Sequence, residues 1–266
     1  MPLNKSPGND GLTVEFYKKF WPYLKDHLFS SFLYSKSHGF LSSSQRQAII
    51  KLLEKKDKDK RYIENWRPIS LLNIDTKIIS KAIANRLKLV LPDIICHDQT
   101  AYVNGRFIGE STRLISDILE VTNNYGIGGY ILTADIEKAF DSMDHMFLTA
   151  CLKKFGFGDY FCDWISILLN KNESCVINGG TTSKYFELQR GARQGDPIAA
   201  YLFIIALEIF FIMVRSDESI HKLKFFDYDF LLSAYADDTT FFVQDIESIF
   251  SIFNIFDNFS IYSGFA

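Results

Sequence analysis

Two adjacent carboxylates, Asp237 and Asp238, stand between the apolar runs of LLSAYADDTTFFV (Leu231 to Val243), where a hairpin of two strands would present both charges at its tip. Like charges this close raise each other's pKa unless a cation neutralises them, although aspartate also serves simply as a turn residue. A third carboxylate, Asp135, closes another β-prone run, YILTAD (Tyr130 to Asp135), which follows Gly126, Gly128 and Gly129. Converging across adjacent strands, the three would form a hard oxygen site of the kind magnesium takes, with positions left open for water and substrate phosphates. Two such ions roughly 3.5 to 4 Å apart serve in-line phosphoryl displacement, so the chemistry implied is nucleotidyl transfer.

The elements that would position these groups alternate helices with paired strands, an α+β layer architecture. Phe16 to Phe20 and Trp21 to Leu33 read as short helical segments, and Ser42 to Glu54 as a capped helix or a helix leading into a strand. Apolar residues recur at three and four from Ile69 to Leu91, predicting one amphipathic helix that stops at Pro92; Glu110 to Asn123 reads the same way. Phe147 to Leu169 is again helical, and Ser174 to Asn178 and Lys184 to Leu188 flank GGTT as hairpin strands would.

A chain of 266 residues, 47% hydrophobic and 23% charged, buries a large core and is no disordered tail. Cys96, Cys151, Cys162 and Cys175 are widely spaced and form no zinc or disulfide pattern, which predicts an intracellular, reducing compartment (cytoplasm and nucleus). The run Ile198 to Val214 approaches the length of a membrane span. Glu208 interrupts it, and Gly195-Asp196-Pro197 before it reads as a helix start with proline at the first helical position, so a buried helix and no membrane partner is the expectation. The net charge of −3 hides a segregation: residues 46–88 carry 12 basic and 5 acidic side chains, whereas 89–266 carry 12 and 24. That pattern suits either a solvated charged loop at Lys55 to Arg61 or a basic lobe facing a polyanion opposite an acidic, metal-holding lobe.

Four blocks occur in order: NWRPISLLN (Asn65 to Asn73), TADIEKAFDSMDH (Thr133 to His145), RGARQGDPIAAYLF (Arg190 to Phe203) and AYADDTTFF (Ala234 to Phe242). Together they resemble the reverse transcriptase domain of LINE-type non-LTR retrotransposons, and the opening KSPGNDGLTVEFYKKFW (Lys5 to Trp21) is similar to the segment before the fingers in these elements. The resemblance implies a right-hand polymerase fold of fingers and palm, with an antiparallel palm sheet packed on helices and the thumb missing. It divides the chain into a lead-in, 1–45, and a reverse transcriptase domain, 46–266, with fingers at 46–110 and 145–185 and palm at 111–144 and 186–266.

Residue by residue, the resemblance makes Asp135, Asp237 and Asp238 the catalytic, metal-binding triad, with the carbonyl of Ile136 assisting one of two Mg2+ ions or Mn2+ in their place. Phe140 matches the aromatic beneath the incoming sugar, where its bulk would exclude a 2′-hydroxyl. Arg67 matches the residue that grips the triphosphate, with paired hydrogen bonds suited to phosphate oxygens. Lys55 is the best match for an assisting lysine, but Glu54-Lys55-Lys56-Asp57 replaces the common Pro-Lys-Pro-Gly and leaves Lys55 and Lys56 both open. Gln194 and Gly195 match the segment that packs against the templating base and nascent pair. The implied partners are an RNA template, a DNA primer and deoxynucleoside triphosphates, and the implied context is a parent polyprotein carrying the thumb, endonuclease and C-terminal regions. On this reading the chain is a fragment with weak activity alone. The alternatives are a non-catalytic RNA-binding remnant and a reverse transcriptase of the intron-maturase lineage.

Overall fold

The computed structural model describes residues 1–265, apart from the Ala139 side chain. The first helix, α1 (Val14–His38), starts where the Thr13 hydroxyl accepts from the Phe16 N–H and ends at Gly39, whose φ of +78° closes it in the left-handed conformation. It replaces the two short segments expected from the sequence and runs through Pro22, whose missing N–H leaves one backbone bond of the helix unmade. A single helical turn, α2 (Ser43–Arg46), opens with a Ser42/Gln45 capping box and passes directly into β1 (Gln47–Glu54).

The predicted helix over Ile69 to Leu91 is in fact two elements. Trp66–Leu72 is a strand, β2, in antiparallel register with β1 from Ala48↔Leu72 to Glu54↔Trp66, and only then does α3 (Ile74–Ile94) begin. Pairing with β1 overrides the helical spacing of Ile69, Leu71 and Leu72, and the edge position of β2 tolerates Pro68. Nor does α3 stop at Pro92. The proline falls in its last turn, where Ile95 N–H still reaches the Leu91 carbonyl (2.9 Å) and both residues are buried.

Beyond it come α4 (Ile108–Tyr125), β3 (Tyr130–Ala134), the short α5 (Ala139–Ser142), α6 (His145–Lys154) and α7 (Asp159–Leu169). The last two replace the continuous helix expected over Phe147 to Leu169, because Gly156 at φ +86° turns the chain between them. The strand β4 (Glu173–Asn178) pairs with β5 (Thr181–Thr182) and β6 (Phe186–Glu187), and also lies parallel to β1. Then follow α8 (Ala199–Ser216), β7 (Leu223–Phe225), β8 (Tyr228–Phe230), β9 (Leu232–Tyr235), β10 (Asp238–Val243) and α9 (Ile246–Ser263). Pro197 is therefore not the first residue of α8. The helix starts two residues later, after a turn in which Asp196 accepts from Ile198 N–H through its carboxylate (3.2 Å) and from Ala199 N–H through its carbonyl (3.2 Å).

The chain forms two compact units. The first comprises residues 1–85 and 152–199. Its sheet has the order β2-β1-β4-β5, with β6 also on β4 and β1 between β2 and β4. The opening segment belongs to this unit: Asn9 donates to the Gln47 and Tyr185 side chains, and Asp10 N–H donates to the Asn73 side chain at the junction of β2 and α3.

The second unit comprises residues 86–151 and 200–266. Its antiparallel sheet has the order β3-β10-β9, with β10 in the centre and Thr239 to Val243 buried. Against that sheet lies an aromatic core in which Phe210 of α8 meets Phe241 of β10 and Phe259 of α9, while Phe265 stacks on Phe259. Most of the apolar residues of α8 are fully buried here, from Leu202 to Leu207 at 0 to 1% exposure. Among the described residues α8 is the one helix long and apolar enough to cross a membrane. Its Glu208 is buried and paired with Arg215 one helical stretch further on.

Candidate active site

The hairpin of β9 and β10 turns through two residues, Ala236 and Asp237, because Tyr235 and Asp238 face each other across it. Asp237 thus occupies the turn, and Asp238 is the first residue of β10. On the other side of β10 the register runs Thr239↔Ala134, so Asp135 emerges from β3 at the same end of the sheet, next to Asp238. The three carboxylates meet electrostatically. Burial raises the pKa of Asp237, a bond to its own backbone N–H opposes the rise, and the charges of Asp135 and Asp238 add to it. Asp135 and Asp238 are exposed. Among the described residues no three His, Cys, Asp or Glu side chains close around a common point as a complete metal cage would. The donor set nonetheless fits a hard divalent cation that binds through one or two carboxylates and substrate oxygens: all donors are oxygen, and a cation beside Asp237 would offset the burial and the like charges that raise its pKa.

Ile136 follows directly, its side chain buried while its backbone continues from the strand end. Phe140, in α5, is half-buried with its ring against Phe203 of α8 at 5.1 Å between centroids. The second unit thus holds Asp135, Ile136, Phe140, Asp237 and Asp238, and within it the strand register brings the three carboxylates together.

The other sequence-predicted residues lie in the first unit. Arg67 is exposed on β2 opposite Leu53, and Lys55 continues the same ladder, its N–H donating to the Asn65 carbonyl (2.8 Å). Strand alternation puts Lys55 on the face of the hairpin that Arg67 uses, whereas Lys56 lies beyond it in the turn. Gln194 and Gly195 form a turn docked on β2, with the Gln194 carbonyl accepting from Ser70 N–H at 2.8 Å. Gly195 has φ +116°, and a Cβ there would meet the Ser70 carbonyl oxygen at 2.6 Å, so the protein's own packing already demands glycine. Behind this turn the Arg193 guanidinium is buried, donates to the Arg46 carbonyl (2.9 Å) and faces the Asp196 carboxylate, which also accepts from Ser80. Burial lowers the Arg193 pKa, and Asp196 opposes that shift.

Sequence reasoning gave no role to the segment 96–106, yet it borders the carboxylate hairpin. Gln99, 1% exposed, bonds through its side chain to the backbone of Ala236, and Tyr102, at φ +60°, has its phenol pKa raised by burial and by the charges of Asp237 and Tyr235. The available signal was a polar stretch, HDQTAYVNGR, lying between two amphipathic helices without a pattern of its own.

Residues 53–266 match the family described as "Reverse transcriptase (RNA-dependent DNA polymerase)". The chain belongs to the reverse transcriptase family. It is 39% identical over 92% of its length to the Transposon TX1 uncharacterized 149 kDa protein of Xenopus laevis, covering 19% of that protein. It is also 25% identical over 90% of its length to the putative 115 kDa protein in type-1 retrotransposable element R1DM of Drosophila melanogaster, and 25% identical over 90% to the RNA-directed DNA polymerase from mobile element jockey of the same organism. The chain spans 22% and 26% of those two proteins. These relatives are proteins of non-LTR retrotransposons, and this reverse transcriptase domain is of their type. Among solved structures, telomerase from Candida albicans in complex with a fragment of telomeric RNA shares the fold at a TM-score of 0.60 and 13% identity, over 91% of this chain and 44% of that one. Telomerase from Candida tropicalis does so at 0.60 and 12%, over 92% and 43%. The right-hand polymerase fold implied by the motifs is thus the fold of this chain.

Proposed function

We propose that this reverse transcriptase domain extends a DNA primer 3′-hydroxyl with deoxynucleoside triphosphates on an RNA template, using two divalent ions held by Asp135, Asp237, Asp238 and the Ile136 carbonyl. The observation that carries the reading is the strand register, which delivers Asp135 and Asp238 to one end of a sheet beside the Asp237 turn. Magnesium, when bound, acidifies the primer hydroxyl and stabilises the departing pyrophosphate. The rest falls to the chain's own residues. The carboxylates concentrate negative charge on rigid strands, so they favour dications over single charges. Phe140, braced by Phe203, presents a flat apolar surface beneath the sugar and leaves no room for a 2′-hydroxyl. Arg67 and Lys55, on one face of the β1–β2 hairpin, neutralise the triphosphate, and this face supports Lys55 over Lys56 in that role. Gln194 offers an amide to a base or sugar edge from a turn held by Ser70 and the buried Arg193–Asp196 pair.

The proposal includes the context. The relatives are four to five times longer than the stretch matched, so the domain works as part of a larger polyprotein and has weak activity by itself. The four free thiols support an intracellular, reducing location. Primer extension on poly(rA) and oligo(dT) with thymidine triphosphate and magnesium tests the reading. Incorporation by the wild type that Asp237→Asn abolishes is expected. Equal incorporation by the two proteins refutes the assignment, and none by either the chain or a longer polyprotein leaves a binding remnant.

A further inference from the structure

The turn that carries Asp237 has an unusual demand. In a two-residue hairpin the ladder bonds belong to the flanking residues, Tyr235 and Asp238, and leave the N–H and C=O of the first turn residue without a partner in the hairpin. That residue is Ala236, which is buried at 4% exposure, and its φ of +59° is a conformation that turns of this kind normally reserve for glycine. Buried backbone groups without partners are costly, and an alanine in the left-handed region is strained as well.

Gln99 meets both demands with one side chain. Its Nε2 donates to the Ala236 carbonyl (3.1 Å), and its Oε1 accepts from the Ala236 N–H (2.9 Å) and from Ala101 N–H (2.9 Å). The amide is itself immobilised. The segment 98–100 lies alongside β9, with Ala234 N–H donating to the Asp98 carbonyl (2.8 Å) and Thr100 N–H donating to the Ala234 carbonyl (2.9 Å). Arg106 donates to the Gln99 carbonyl (2.8 Å) and the Cys96 carbonyl (2.5 Å). The Asp98 carboxylate takes a bond from Arg215 (2.7 Å), which is in turn paired with the buried Glu208 of α8. The acidic residue that interrupts the apolar run thus anchors the strip that holds Gln99.

We propose that Gln99 is a positioning residue of the carboxylate hairpin: by gripping both backbone groups of Ala236 it sets the turn that aims Asp237 and Asp238, an inference that rests on those carboxylates binding the metal. Rotation about Ala236 moves the Asp237 side chain directly, since the two residues are adjacent. A glutamine amide is the side chain that can donate and accept at once over this span; glutamate lacks the donor and methionine lacks both functions.

The test uses the full chain and Mn2+ alone as the probe. Hydrogen exchange at the Ala236 amide and the midpoint of Mn2+ binding, read by electron paramagnetic resonance, are compared in wild type, Gln99→Met, Gln99→Asn and Asp237→Asn. Gln99→Met keeps the volume and removes both bonds, and Gln99→Asn keeps the amide one methylene short. The amides of Thr240 and Phe241, bonded inside the sheet, report that the strands have formed. In each Gln99 variant that passes this check, Ala236 exchange accelerates at least tenfold relative to those amides, and the Mn2+ midpoint rises about tenfold or more, as for other groups that orient a metal ligand. Placing Ala236→Gly in the Gln99→Met background, which relieves the left-handed strain, shrinks the rise to a few-fold. An unchanged Ala236 exchange rate or an unchanged midpoint overturns the proposal. If Asp237→Asn binds Mn2+ as the wild type does, the carboxylate assignment itself has failed and the positioning role falls with it, while the exchange rates still show whether Gln99 holds the turn.

Discussion

Replacing Gly195 by alanine is a small change with a cost that follows from two separate features of the structure. The backbone there has φ +116°, a region that an L side chain enters at about 1 to 3 kcal/mol. The new methyl would also sit 2.6 Å from the Ser70 carbonyl oxygen, which is backbone of a paired strand and cannot swing aside. Relief comes from lifting the Gln194–Gly195 turn off β2, which breaks the 2.8 Å bond from Ser70 N–H to the Gln194 carbonyl at a further cost of about 1 kcal/mol. The total is about 2 to 4 kcal/mol. With a urea slope of about 2 kcal/mol per molar, the midpoint of the first unit's transition falls by about 1 to 2 M. Hydrogen exchange at Ser70 accelerates at the same time, and the KM for nucleotide rises because Gln194 has moved. Gly128→Ala is the control: its φ is ordinary and nothing lies within 4 Å of the added methyl, so the expected change is within about 0.5 kcal/mol. A Gly195→Ala protein with wild-type stability and an unaltered Ser70 exchange rate would show that the turn is not docked as described.

Three further outcomes are expected. Phe140→Ala opens the space beneath the sugar, so ribonucleotide incorporation rises relative to deoxynucleotide by at least tenfold in a primer-extension competition, with polymerisation retained; an unchanged ratio would return Phe140 to a packing role on Phe203. Arg193→Met strips the partner from the Asp196 carboxylate and from the Arg46 carbonyl in a buried setting, which destabilises by about 3 kcal/mol in thermal or urea unfolding. Asp245 caps α9 through the Ser248 hydroxyl and N–H and faces His221, and these bonds, the Ser248 hydroxyl first, hold its pKa down at about 2. Because the folded value lies below the unfolded carboxylate value, its stabilisation is full above about pH 4 and fades as pH falls toward 2. The melting-temperature gap between wild type and Asp245→Ala should therefore be open at neutral pH and close on acidification.

The residues of the site were legible as chemistry because their signals are local. A hairpin tip needs only a pair of β-prone runs around a turn, and YILTAD and LLSAYADDTTFFV supply both, so the strand ends bearing Asp135, Asp237 and Asp238 could be placed from the sequence. The burial of α8 was legible for the same reason, since a long apolar run with a single acid in it reads as a core helix. Where the sequence misled, two local codes competed and a distant partner decided. Ile69 to Leu72 have helical spacing, but β1 offers seven ladder pairs, and Pro92 is compatible with a last helical turn that two buried neighbours hold in place. The start of α8 moved two residues because Asp196 spends its carboxylate on Ser80 and its carbonyl on Ala199. The residues around Gln99 were illegible altogether. A glutamine in an irregular polar segment has no periodicity, and its meaning arises only when tertiary structure brings it against Ala236, far along the chain, where backbone groups that no local element can satisfy await a partner. Local propensity thus determined which side chains stand at strand ends, and long-range hydrogen bonding decided how rigidly those ends are aimed.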